Sequence, residues 1–376
     1  MVYYNMDARA DNGGRKGLER MLKHLWKIIV IAVLLALLLV FVPSPVSTYD
    51  AFAEVVELEH DIRQGGLPQN WDGYTDIPAK WVGYVGEAHY QDPSITVDLV
   101  MGQRMFDTNY CYAVVKIANG TQLRTAFSDD NFKDHKVYGF KIAQAKNAVF
   151  ALNGDFCKNK ENPRGYMGYI IREGKEYRDL ATAEKAWIRY DNKVKAYTLD
   201  WDLLIIDQNG DLHAILEPSA EKVQAWQAEH PDLVAVNTIN FGPALIVDGE
   251  TTRETFNKVA VNPNTDWIGT YKLTQRIAIC QLDALTYLCV TCEGPEDKGS
   301  AGMTMDQFVD LLREVESKLD GQKIQVAYNL DGGASSTFIF KDPGTDGLTK
   351  VNALTRANPQ RQLYDIIYFA SAWKED

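Results

Sequence analysis

Residues 304–340 read TMDQFVDLLREVESKLDGQKIQVAYNLDGGASSTFIF, and they carry the three kinds of element from which the chain is built. Thr304 with Gln307 three residues on forms a capping box, which marks a helix start. Phe308, Leu311, Leu312, Val315 and Leu319 then recur at helical spacing as one apolar stripe. Gly321 supplies the stop. The spacing predicts a helix over residues 304–320. QVAYNL follows as a strand, DGGASS as a loop and TFIF as a second strand.

Working outward, strand signals dominate. ITVDLV from Ile95, CYAVVKIA from Cys111 and TQLRTAF from Thr121 alternate or are rich in β-branched residues. AKNAVFALNGDF predicts a buried strand that ends in a glycine turn. Hairpins are expected about Glu173-Gly174, Asn209-Gly210 and Asp248-Gly249, because such pairs suit turns with positive φ. A second helix is expected over residues 219–230, with Ser219 as its cap and Pro231 as its stop. LYDIIYFAS closes the chain as a strand. The pattern is that of an α+β fold, a largely antiparallel or mixed sheet with a few packed helices.

Of the 376 residues, 46% are hydrophobic and 24% charged, which excludes a disordered or collagen-like chain. The net charge of −12 repels a nucleic-acid backbone, and no basic patch stands outside the N-terminus. That N-terminus has its own signature. Residues 28–42 are 15 apolar residues without a break, preceded by Arg15, Lys16, Arg20, Lys23 and Lys27. A basic flank before an apolar core directs export or anchoring. The expected organisation is a cytoplasmic stub with a signal-anchor or signal peptide over 1–53, a stalk or linker over 54–87, and a single extracytoplasmic domain over 88–373. The expected location is the cell membrane, single-pass, with secretion as the alternative. The five cysteines show no zinc-site spacing beyond Cys289-x-x-Cys292, which lies within a strand-like run, so they read as buried small side chains.

Chemistry concentrates at strand ends. Asn153-Gly154-Asp155 closes one buried strand, and Asn329-Leu330-Asp331-Gly332-Gly333-Ala334-Ser335-Ser336 follows another. Taken alone, each is an ordinary turn signal. Together they offer carboxylates at Asp155, Glu293 and Asp331 for acid–base work. Successive N–H groups of the Gly332–Ser336 loop can turn inward as an anion nest. Arg276 can clamp a phosphate through two parallel hydrogen bonds. Donors for an anion beside carboxylates for glycosyl chemistry point to a sugar phosphate.

The same residues resemble the phosphodiester glycosidase domain family over roughly residues 88–371. The shared motifs run in order: YQDPSI from Tyr90, QLRTAF from Gln122, LNGDFC from Leu152, FGPALI from Phe241, GMT from Gly302 and NLDGGASST from Asn329. The chain departs from the family pattern at Ala334, where a third glycine is usual, and at Glu293-Gly294-Pro295, where Asp-Gly-Arg is usual. It also departs at Arg276-Ile277-Ala278-Ile279-Cys280, where Arg-Thr-Ala-Ile-Gly is common. The family's Ser-Asp-Gly-Gly-Glu-Arg-like segment is replaced near Arg361.

The resemblance implies an extracytoplasmic hydrolase that cleaves a sugar-1-phosphodiester in a cell-envelope polysaccharide or phosphoglycan. Asp331, Asp155 and Glu293 are the catalytic candidates, and Asn153, Arg276, Asn329, Gly332, Gly333, Ser335 and Ser336 the substrate-binding ones. No cofactor is demanded, although such acids could hold a divalent cation. The alternative is a non-catalytic surface module that binds envelope glycans or phosphoglycans, favoured by the missing Asp-Gly-Arg arginine.

Overall fold

The computed structural model describes residues 86–128, 132, 135–155, 168–186, 202–259, 270–342, 347–353 and 361–373. The apolar run 28–42 and the lead up to residue 85 lie outside them. Among the described residues no helix is long and apolar enough to cross a membrane.

In chain order the elements begin with β1 (Gly86–Asp92), β2 (Ile95–Met105), β3 (Thr108–Ile117), β4 (Leu123–Phe127), β5 (Val137–Tyr138), α1 (Gly139–Ala145) and β6 (Ala148–Asn153). There follow β7 (Ile170–Arg172), β8 (Lys175–Arg178), α2 (Leu180–Ala186), β9 (Leu203–Asp207), β10 (Leu212–Ile215) and α3 (Ala220–Glu229). Next come β11 (Ala235–Ile239), β12 (Ala244–Val247), β13 (Glu250–Thr251), α4 (Arg253–Val259), β14 (Arg276–Asp283), β15 (Thr286–Cys292) and α5 (Met305–Glu316). The last are β16 (Val326–Asn329), β17 (Phe338–Asp342), β18 (Gly347–Lys350), β19 (Gln362–Leu363) and β20 (Asp365–Ala370).

Two sheets carry the molecule. One has eight strands in the order β1-β2-β3-β15-β14-β16-β12-β13, the other five in the order β18-β17-β6-β20-β4. Their ladders are antiparallel, including β14 with β16 (Ala278↔Asn329) and β17 with β6 (Phe338↔Leu152). Of the two sheet types expected, the antiparallel one forms.

The inner faces pack on each other. Ile277, Ile279, Tyr287 and Tyr328 of the large sheet meet Phe150, Leu152, Phe338 and Ile367 of the smaller one. The outer face of the large sheet is covered by α5, whose Phe308, Leu311, Leu312 and Val315 lie against Ala278, Cys280, Leu288 and Val290. Each such side chain contributes about 1.5–3 kcal/mol when fully buried. The outer face of the small sheet is covered by α1 through Phe140, Ile142 and Ala143. A three-stranded sheet, β10-β9-β11, carries α3 through Val223.

The capping box at Thr304 forms as expected, with Gln307 N–H on the Thr304 hydroxyl at 3.2 Å. The helix ends at Glu316, short of the predicted Asp320. Lys318 N and Leu319 N bond back to Val315 O and Glu316 O, so the final turn tightens before Gly321 at φ +86°. The Glu173-Gly174 and Asp248-Gly249 turns both have positive φ at each residue, and Gly210 has φ +86°. The helices α1, α2 and α4 have seven residues each, too few to show a 3.6-residue period in sequence. Cys289 and Cys292 point to opposite faces of the large sheet, one into each core. Cys111, Cys280, Cys289 and Cys292 are all buried free thiols.

Candidate active site

The loop from Leu330 to Thr337 is the crossover between the two sheets. It leaves β16 in the large sheet and enters β17 in the small one, beside β6. The turn after β6 therefore meets it. Asn153, the last residue of β6, donates from Nδ2 to Asp331 O at 2.7 Å and accepts the Thr337 N–H at Oδ1 at 3.0 Å. Two motifs far apart in sequence thus share one cleft. Its walls are Lys136, Asn153, Asp155, Asp331, Ser335 and residues 361–365.

Gly154 lies against the Asp365 carboxylate. A Cβ there would stand 2.8 Å from Asp365 Oδ1. Gly332 is required by a backbone, since its Cβ would stand 2.7 Å from Gln275 O. Ala334 sits inside a single 3-10 turn, Gly333–Ser335, at negative φ, so the chain needs no third glycine.

The carboxylates are treated differently by their surroundings. Asp155 accepts the Asn240 N–H at 2.8 Å and faces Arg172 Nη2 at 3.6 Å, both at Oδ2. The same Arg172 nitrogen donates to Asp365 Oδ2 at 2.9 Å. Arg172 is 1% exposed, lies over the Phe127 ring, and also donates to Thr238 O and Ile171 O. Its charge is committed to two aspartates. Asp331 makes no ion pair among the described residues. Burial raises its carboxyl to about 6, opposed by a hydrogen bond from Ser335 and by the charges of Arg361 and Lys136, and assisted by the charge of Asp155. A carboxylate held beside a guanidinium and a carboxyl protonated near pH 6 is the division of roles that acid–base catalysis needs.

Of the residues singled out from sequence, Asn153, Asp155, Asp331 and Ser335 line the cleft. Asn329 stands behind it, with Nδ2 on Gly242 O at 2.7 Å. Ser336 is buried, and its hydroxyl has no hydrogen-bond partner among the described residues. The expected anion nest is corrected. Gly333 N donates to Gln275 O, Ser335 N to Gly332 O and Ser336 N to Gly333 O, so these N–H groups are taken by Gln275 and by the turn's own carbonyls.

Arg276 and Glu293 are not among the residues that line the cleft, and their expected roles there are corrected. Alternation turns Arg276 to the α5 face of β14, where it donates to Met303 O at 3.2 Å and Lys272 O at 2.8 Å. Burial lowers its guanidinium to about 10, still charged at neutral pH. Glu293 follows β15 and accepts from Asn109 Nδ2 and the Ser300 hydroxyl, both at 2.9 Å. Sequence reasoning missed Lys136, Arg172 and Tyr364. Only Arg172 had a signal, an arginine directly after the apolar run Tyr169-Ile170-Ile171. Among the described residues no group of three or more His, Cys, Asp or Glu side chains is arranged to hold a metal.

The profile of the phosphodiester glycosidase family matches residues 146–370, from the end of α1 to the end of β20, and so takes in both motifs of the cleft. The chain belongs to the phosphodiester glycosidase family. Among solved structures it is similar to the zebrafish N-acetylglucosamine-1-phosphodiester alpha-N-acetylglucosaminidase catalytic domain, auto-inhibited by its pro-peptide. That likeness has 14% identity and a TM-score of 0.52 over 87% of this chain and 97% of that one. It is also similar to a hypothetical protein from Synechocystis at 14% identity, with a TM-score of 0.42 over 73% of this chain and 62% of that one. No curated protein matches the sequence. This phosphodiester glycosidase domain thus keeps its acidic motifs in one cleft and has Glu293-Gly294-Pro295 outside it.

Proposed function

We propose that the protein is an extracytoplasmic hydrolase that cleaves the bond between an anomeric carbon and phosphate in a sugar-1-phosphodiester of the cell envelope. The observation that carries this reading is the convergence of Asp155 and Asp331 on one cleft within a phosphodiester glycosidase domain. Location outside the cytoplasm, with the chain held in the membrane by residues 28–42 or released from it, rests on the basic flank and apolar run alone.

In this reading Asp331 gives its proton to the departing phosphate oxygen as the C1–O bond breaks. A phosphate monoester takes up a proton near pH 6, so donor and acceptor are matched, which favours the transfer. The Asp155 carboxylate, aligned by Asn240 and Arg172, stabilises positive charge at C1 or activates the water that adds its hydroxyl there. Products are a reducing sugar and a phosphate monoester.

The test is release of sugar from an aryl α-glycosyl phosphodiester by the full-length protein. Turnover that is lost in both Asp155→Asn and Asp331→Asn supports the hydrolase. Binding of such a ligand with no turnover replaces it with a glycan-binding module.

A further inference from the structure

We propose that Lys136 and Arg361, at opposite ends of the short β5/β19 ladder, form the anion-binding rim of the cleft and hold the substrate phosphate. That the anion is a sugar-1-phosphodiester rests on the reading above. That the rim binds a phosphate group rests on the cleft itself.

The first step is a charge balance. Asp155, Asp331 and Asp365 all line the cleft, and an anionic substrate must enter against them. Arg172 is buried beneath with its fork on Asp155 and Asp365, so it neutralises charge already present rather than adding attraction. The two groups that sequence alone nominated for the phosphate are occupied elsewhere. The Arg276 guanidinium serves Met303 O and Lys272 O on the far face of β14, and three N–H groups of the Gly332–Ser336 loop serve carbonyls. The cleft lining itself contains two cationic side chains, Lys136 and Arg361.

Their placement follows from strand pairing. β5 and β19 are antiparallel, with Gln362 opposite Tyr138 and Leu363 opposite Val137. Lys136 directly precedes one strand and Arg361 the other, so the ladder sets one cation at each of its ends along the cleft. Lys136 Nζ lies 4.5 Å from the centre of the Tyr364 ring, whose negative face fixes the ammonium at the rim. Arg361 is exposed, and its planar fork can meet two phosphate oxygens at once. A point charge held by an aromatic ring and a bidentate fork opposite it suit a singly charged phosphodiester.

The experiment titrates inorganic phosphate into the full-length protein at low ionic strength, by calorimetry, and repeats it with Lys136→Met, Arg361→Met and Arg276→Lys. Loss of at least about tenfold in affinity for each of the first two, the scale of a charged hydrogen bond, supports the proposal. Arg276→Lys should bind phosphate like the wild type. Wild-type affinity in both Met variants, or no phosphate binding by the wild type, overturns it. The hydrolase reading separates cleanly. Phosphate binding that depends on Lys136 and Arg361 in a protein that turns over no glycosyl phosphodiester sustains the rim and removes the hydrolase. Turnover with an unchanged Michaelis constant in both Met variants removes the rim and leaves the hydrolase.

Discussion

At the residue scale the site turns on the unequal treatment of two aspartates. Asp331 is protonated in the folded chain up to about pH 6, whereas in an unfolded chain an aspartate loses its proton near pH 4. Between these values the folded state holds more protons. The stability contributed by neutral Asp331 is therefore full below about pH 4 and is lost as pH rises through 6. Asp331→Asn removes the buried charge at nearly constant shape. We expect its melting temperature at pH 7.5 to equal or exceed that of the wild type, and the difference to shrink toward pH 4. Cleavage by the wild type should fall as pH rises through about 6, and the Asn variant should have none. A melting temperature that drops at pH 7.5 would make Asp331 a structural turn residue whose charge is needed for folding.

At the element scale β14 decides which residues reach the cleft. It pairs with β15, which sets Arg276 opposite Cys292. Which face of the strand α5 would cover was not legible, because both faces are apolar and both are buried. The helix itself was readable from its cap and stripe, and the two acidic motifs from their glycines at strand ends. The cations were not, because a lysine before a two-residue strand carries no periodic signal. A consequence is that Arg276→Lys acts on stability. The ammonium cannot keep both carbonyls at 3.2 and 2.8 Å, and the loss should be about 1.5–3 kcal/mol for charged hydrogen bonds of this kind. A urea midpoint that falls while the Michaelis constant stays unchanged is the expected result. A raised Michaelis constant at unchanged stability would return Arg276 to the substrate.

At the scale of the whole molecule the cleft is a product of how the chain changes sheets. Packed sheets stand about 10 Å apart, and residues 330–337 bridge that gap between β16 and β17. Such a crossover would sag without support from the sheet that it enters. Asn153 gives that support from β6, with its amide on Asp331 O and its carbonyl on Thr337 N–H, so one side chain holds both ends of the crossover. It is 2% exposed. Asn153→Ala leaves a buried acceptor and a buried donor unpaired, at about 1–3 kcal/mol each. We therefore expect a lowered melting temperature, with turnover reduced far more than the fraction of folded protein. Asn153→Asp keeps the Thr337 bond and replaces the donor with a carboxylate facing Asp331 O. It should retain more stability than the Ala variant in acid, where the added carboxyl is protonated and can donate, and lose that advantage as pH rises. Turnover in both variants that merely tracks the folded fraction would show that the crossover holds its own shape, and that the junction of the sheets does not position Asp331.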